Sequence, residues 1–134
     1  MKCLIAEDDF VSRELLHAYL KNHADCHMAC DGLQAVEMFV DALDADEPYD
    51  LICMDIMMPG LSGRDAMKEI RQIEAEHGIG GLDGVKIIMT TALDDSKDIF
   101  GSFREGCEAY VVKPIHKAKL VAEIEKLGLL NPSL

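Results

Sequence analysis

Apolar residues recur along this chain in two periods that take turns. The short run Lys2 to Ala6 reads as a strand. Leu15, Leu16, Tyr19 and Leu20 then fall on one face of a helix expected from Phe10 to Asn22. The same pairing returns as a strand over Asp25 to Cys30 and a helix over Leu33 to Leu43. Ala35, Val36, Phe39, Val40 and Leu43 form that helix's apolar stripe, and Gly32 marks the turn before it. A third unit joins the strand Leu51 to Met54 to a helix from Gly63 to His77, with Met67, Ile70 and Ile73 at helical spacing. The fourth joins Val85 to Met89 with a helix near Ser96 to Glu105, entered from Asp94 or Asp95 as a cap. The fifth joins Ala109 to Val112 with a helix from Lys117 to Leu127, whose Leu120, Val121, Ile124 and Leu127 face inward. Five alternating units predict an α/β fold, a parallel sheet with helices on both faces.

The length, 134 residues, suits one domain able to fold without disulfides or a structural metal. Charge narrows the partners: 13 Lys and Arg against 25 Asp and Glu give a net −12, so nucleic acid and anionic membranes are repelled on average. The apolar start, Met1 to Ala6, is too short for a signal peptide or a membrane span, and the expected location is the cytoplasm.

Five cysteines in that compartment are expected to be reduced, with Cys3, Cys53 and Cys107 packed as small hydrophobes. His23, Cys26, His27 and Cys30 have the residue types for zinc. A strand there would set Cys26 and Cys30 about 13 Å apart at roughly 3.3 Å per residue, too far to share an ion. Two polar connections, Asp44 to Asp50 and Gly78 to Gly84, read as exposed loops. The first lacks the glycine and terminal glutamate of a calcium loop, and the second precedes a strand, the wrong side for cradling phosphate.

In an open parallel sheet, ligands bind beyond the carboxyl ends of the strands. Those positions hold Glu7, Asp8 and Asp9 after the first strand, Asp55 after the third, Thr90 and Thr91 after the fourth, and Lys113-Pro114 after the fifth. Crowded carboxylates repel unless a hard divalent cation such as Mg²⁺ joins them, and an ammonium and a hydroxyl beside them suit an anion. A phosphoryl group fits, with Asp55 as the attacking carboxylate and an aspartyl phosphate as product.

Glu7-Asp8-Asp9, Asp55 with Met58-Pro59-Gly60 and Gly63, Thr91-Ala92 and Lys113-Pro114, in this order and across essentially the whole chain, resemble the receiver domain of two-component response regulators. The chain is also similar to the stand-alone chemotaxis-type regulators in ending with the fifth helix, with only Gly128 to Leu134 after it. The resemblance implies a flavodoxin-like, doubly wound sheet in the order 2-1-3-4-5 and a single receiver domain over 1–134 without an output domain. Asp55 would be the phosphoacceptor. Mg²⁺, or Mn²⁺, would be held by Asp8, by Glu7 through a water, by Asp55 and by the Met57 carbonyl. Placing Arg13 at the arginine often found in the first helix makes Glu7 and Asp8 the acidic pair and leaves Asp9 just outside. Thr91, Ala92 and Lys113 would bind phosphoryl oxygens, and Tyr110 would follow Thr91 as the switch aromatic.

The implied partner is a sensor histidine kinase or a histidine phosphotransfer protein, with an unnamed downstream target. Contact, including homodimerisation, would run through the face of the helix at 96–105, the fifth strand and the helix at 117–127. The segments before the third and fourth strands are longer than in many receivers, which bears on partner surfaces. Met57 and Leu93, apolar where they would flank the phosphoryl group, imply slow hydrolysis of the phosphorylated state. Taken singly, Asp55, Thr91 and Lys113 could be ordinary strand-end residues, and Tyr110 a packing aromatic. Their joint placement on one rim favours the switch. Two other functions compete: an aspartate-based Mg²⁺ phosphohydrolase, weakened because Met57 stands where a general acid is needed, and a thiol or metal module on the His/Cys cluster, which conflicts with the strand.

Overall fold

The computed structural model describes residues 1–92 and 106–130. The helix expected at 96–105, its Asp94 or Asp95 cap and Leu93 lie outside the described residues. Within them run β1 (Lys2–Ala6), α1 (Phe10–Leu20), β2 (Asp25–Ala29), α2 (Gly32–Asp44), β3 (Leu51–Asp55) and α3 (Gly63–Glu76). After a 3₁₀ turn at Gly81–Asp83 come β4 (Lys86–Thr91), β5 (Ala109–Val112) and α4 (Lys117–Lys126). The five strands form one parallel sheet in the order β2-β1-β3-β4-β5, the doubly wound arrangement expected. No helix among the described residues is long and apolar enough to cross a membrane.

The sheet is covered on both sides, so its central strands are apolar without alternation. All five residues of β3 are buried, as are Cys3 to Ala6 of β1. Leu4, Ile52, Met54, Ile87 and Met89 pack under α2 and α3 through Phe39, Met67 and Ile70. Ile5, Leu51, Cys53 and Ile88 pack under α1 and α4 through Leu16, Leu20, Leu120 and Ile124. Leu15, expected on the inner face of α1, is instead exposed. It lies a quarter-turn off the line through Leu16 and Leu20, beyond the stripe the sheet covers.

Most boundaries differ from the sequence reading by one or two residues. The consequential shift is β4, expected over Val85 to Met89 and found over Lys86–Thr91. Thr90 and Thr91, expected just beyond the strand, are its last two residues, in keeping with the β preference of branched side chains. Gly32, expected as a turn, is the first residue of α2, and a Cβ there would stand 2.3 Å from the Leu61 carbonyl oxygen.

At the far end of the sheet from the carboxylates, Arg71 of α3 ties three elements together. Its guanidinium donates to Glu74 at 2.7 Å, to the Val85 carbonyl at 2.8 Å, to Gly106 at 2.7 Å and to Glu108 at 2.9 Å. Glu74 and Glu108 in turn accept from the backbone N–H groups of Val85 and Ile87. Beside this clamp the two long connections meet around a cavity of about 250 Å³, lined in part by Pro48, Tyr49, Asp83 and Lys86.

Candidate functional site

Each acidic side chain at the carboxyl end of the sheet is placed by a local constraint. Glu7 follows β1 directly; its N–H donates to the Ala29 carbonyl at 3.1 Å, and its side chain is fully buried. Asp55 ends β3 at 5% exposure, and its Oδ1 accepts from the Met57 N–H at 3.2 Å. Behind it, Gly63 packs so closely that a Cβ would fall 1.9 Å from the Asp55 carbonyl oxygen. A side chain at Gly63 would therefore push the strand end that carries Asp55 or the helix that supports it.

Asp8 and Asp9 diverge although they are adjacent. Asp9 is the N-cap of α1, its carboxylate accepting from the Ser12 N–H at 2.9 Å and the Ser12 hydroxyl at 2.7 Å. Those bonds hold its carboxyl below the usual range. Asp8 instead groups with Glu7 and Asp55: one carboxylate oxygen from each lies within 4.8 Å of the others. This is the one cluster of that kind among the described residues. Arg13 braces the turn by donating to the Glu7 carbonyl at 2.9 Å.

Lys113 closes the site from β5. Its ammonium hydrogen-bonds to Glu7 and lies 3.3 Å from Asp55 Oδ2. The Lys113 N–H donates to the Thr91 carbonyl at 2.6 Å, and the peptide bond to Pro114 is cis. Burial pushes the Glu7 carboxyl up, as does the neighbouring Asp55, and Lys113 only partly offsets them. Burial alone would lower the Lys113 pKa, but Glu7 and Asp55 together outweigh it and raise it. The ammonium is thus held charged between two carboxylates, leaving a pocket of excess negative charge.

Thr90 pairs in register with Asp55, and Thr91, nearly buried, is one residue further along the same strand end. Ala92 follows, exposed. Strand alternation sets Thr91 on the face of Met89, and Met89 is the register partner of Tyr110. Tyr110 is partly buried against the core cluster on that face. Met57, just past Asp55, is 62% exposed. The structure therefore brings Glu7, Asp8, Asp55, Lys113, Thr91, Ala92 and Met57 to one end of the sheet and sets Tyr110 beneath Thr91.

The His/Cys cluster does not converge: Cys26 lies within β2, while Cys30 is exposed beyond its end. His27 bonds instead to the Tyr49 hydroxyl at 2.8 Å. Sequence reasoning missed the capping role of Asp9, for which an aspartate before a helix start was the available signal. It also missed the Thr90 hydroxyl, fully buried and without a hydrogen-bond partner among the described residues.

A hard, oxygen-liganded cation suits three carboxylates at this spacing, so the residues fit Mg²⁺ by donor chemistry. Comparison with known proteins agrees with the architecture. The profile of the response regulator receiver domain matches residues 3–125. The hybrid signal transduction histidine kinase I of Dictyostelium discoideum is 37% identical over 124 residues, 92% of this chain but 7% of that protein. The transcriptional regulatory protein AruR of Pseudomonas aeruginosa is 31% identical over 127 residues, 94% of this chain and 48% of its own. This chain thus spans under half the length of either relative. Among solved structures, the Saccharomyces cerevisiae Ssk1 receiver domain, crystallised with the histidine phosphotransfer protein Ypd1, superposes with a TM-score of 0.81 at 28% identity, covering 96% of this chain and 88% of that one. The receiver domain of the Arabidopsis thaliana histidine kinase CKI1, complexed with Mg²⁺ and BeF₃⁻, gives 0.77 at 25% identity, covering 93% and 89%. The fold, the carboxylate end of the sheet and a family match across nearly the whole chain lead to one conclusion: this chain belongs to the response regulator receiver domain family.

Proposed function

We propose that residues 1–134 act as a single receiver unit in which Asp55 accepts a phosphoryl group from a histidine on a partner kinase or phosphotransfer protein. The observation that carries this reading is the approach of Glu7, Asp8 and Asp55 to within 4.8 Å of one another, with the Lys113 ammonium on Asp55. An Asp55 oxygen attacks phosphorus, the histidine N–P bond breaks, and its electron pair stays on the imidazole. Lys113, Thr91 and the Ala92 backbone N–H meet the charge on the phosphoryl oxygens. Asp8, Asp55, the Met57 carbonyl and, through a water, Glu7 would hold Mg²⁺ or Mn²⁺. When bound, the ion supplies positive charge against those same oxygens.

Signal leaves through Thr91 and Tyr110. A hydroxyl drawn toward the phosphoryl group opens space beneath it, and Tyr110 turns to fill it, changing the surface beside β5. Partner contact and homodimerisation belong to that surface. The exposed apolar residues Phe10, Val11 and Met57 around the carboxylates favour a protein donor, which must cover Asp55 to deliver its phosphate. Repulsion from the net charge of −12 argues against nucleic acid and membrane, and the reading includes a cytoplasmic location. A phosphohydrolase is disfavoured because the thioether of Met57 cannot protonate a leaving alcohol.

Transfer from a phosphohistidine-loaded phosphotransfer protein, followed by radiolabel, tests the proposal. Label should move to wild type with Mg²⁺ and fail with Asp55→Asn or with chelator. Undiminished transfer to Asp55→Asn would overturn it.

A further inference from the structure

Three thiols meet on the α1 and α4 side of the sheet, away from the carboxylates. Cys3 of β1 pairs in register with Cys26 of β2, so both side chains leave the sheet on one face. Cys53 of β3 stands on the same face, two residues past Leu51, which is the other register partner of Cys3. Cys3 and Cys53 are fully buried, whereas Cys26 is only partly so because β2 is an edge strand.

The three differ chemically as well as in access. The Cys3 thiol interacts with Cys26 first and Cys53 next, which pushes its pKa well up; the same contact with Cys3 draws Cys26 down. The Cys26 thiol donates to the Ala24 carbonyl at 3.6 Å, and its contact with Cys3 favours thiolate on the sulfur that solvent reaches. By contrast, burial pushes the Cys107 thiol up to about 11. Neighbouring strands lie about 4.8 Å apart, which places the Cys3 and Cys26 Cα atoms within the roughly 4.4–6.8 Å a disulfide spans.

We propose that Cys26 is a site of reversible oxidation by peroxides, with Cys3 as its disulfide partner. The Cys26 thiolate attacks one peroxide oxygen; the O–O bond breaks, leaving a sulfenic acid and hydroxide. The Cys3 sulfur then attacks the Cys26 sulfur, the S–O bond breaks, and the departing hydroxide takes the Cys3 proton. Two thiols lose two electrons and two protons, and one hydrogen peroxide becomes two waters. The site lies apart from Asp55 and needs no phosphorylation.

The test uses Cys30→Ser, which removes the exposed thiol and leaves four of the five cysteines. After treatment with a small excess of hydrogen peroxide, free thiols are titrated in denaturant and the intact mass is measured. Expected is a fall from four thiols to two, a mass loss of two hydrogens, a mapped Cys3–Cys26 link and full reversal by dithiothreitol. Adding Asp55→Asn or Cys53→Ser should leave that link intact, whereas adding Cys26→Ser at the partly exposed edge position should abolish it. Four surviving thiols, a Cys3–Cys53 link, oxygen adducts in place of a disulfide, or an undiminished disulfide in the Cys26→Ser variant would each overturn the proposal.

Discussion

Lys113→Met is expected to weaken the fold by an amount that depends on divalent cations. The Lys113 side chain is 19% exposed, and its ammonium lies against the side chains of Glu7, fully buried, and Asp55, 6% exposed. Removing it leaves two buried carboxylates facing each other without their counter-charge. Breaking one partner out of a buried ion pair costs about 3–5 kcal/mol, and the slight exposure of Lys113 points to about 3 kcal/mol. With a urea slope of about 2 kcal/mol/M, the unfolding midpoint in EDTA should fall by about 1.5 M. Lys113 and a divalent cation neutralise the same oxygens, so the variant should gain more stability than wild type from millimolar Mg²⁺. Urea titrations of both proteins, with EDTA and with Mg²⁺, read the coupling directly. An equal midpoint loss in the two conditions would refute the idea that ammonium and cation share these carboxylates.

Asp8→Asn should weaken Mg²⁺ binding by at least tenfold, about 1.4 kcal/mol, with little change in urea stability; Asp9→Ala should do the opposite, lowering the urea midpoint through the lost helix cap while Mg²⁺ affinity holds. A Mg²⁺ titration and a urea curve on each variant check both halves. Arg71→Met should destabilise by about 3 kcal/mol near neutral pH, because Glu74 and Glu108 lose their shared cation. Burial raises the Glu108 carboxyl while Arg71 pulls against it, so without Arg71 the folded-state pKa climbs further above the unfolded one. A raised carboxyl favours folding when protonated, so the deficit should shrink as pH falls toward about 5, as urea curves across pH would show. Met57→Asn should shorten the life of the phosphorylated state, because an amide can hydrogen-bond and orient an attacking water where the exposed thioether cannot; release of inorganic phosphate over time measures it.

The strand ends were legible because parallel βα units constrain where chemistry can gather. Once Leu51 to Met54 reads as a strand, Asp55 must stand at its carboxyl end, and likewise Glu7 and Lys113. What local pattern does not encode is which of two neighbours turns inward. Asp8 and Asp9 separate only because Asp9 caps α1, a choice made by backbone geometry at a helix start. The extension of β4 through Thr90 and Thr91 escaped a reading that ended the strand with its apolar run, since the added ladder bonds involve backbone that carries no hydrophobic signal. The Arg71 clamp was invisible for a different reason: Glu108 is 37 residues from Arg71 in sequence, and only the sheet brings them together. Leu15 shows the reverse error, an apolar residue beside a stripe that the sheet is too narrow to cover.

The central claim is that phosphate goes to Asp55 and depends on the carboxylates beside it. The most direct measurement exposes wild type, Asp55→Asn and Asp8→Asn to a small acyl phosphate with Mg²⁺, then locates any adduct by tandem mass spectrometry. The account predicts one phosphate on wild type, on the peptide containing Asp55 and at that residue, none on Asp55→Asn, and a marked reduction with Asp8→Asn or EDTA. An adduct on another residue in wild type, or full labelling without a divalent cation, would contradict it.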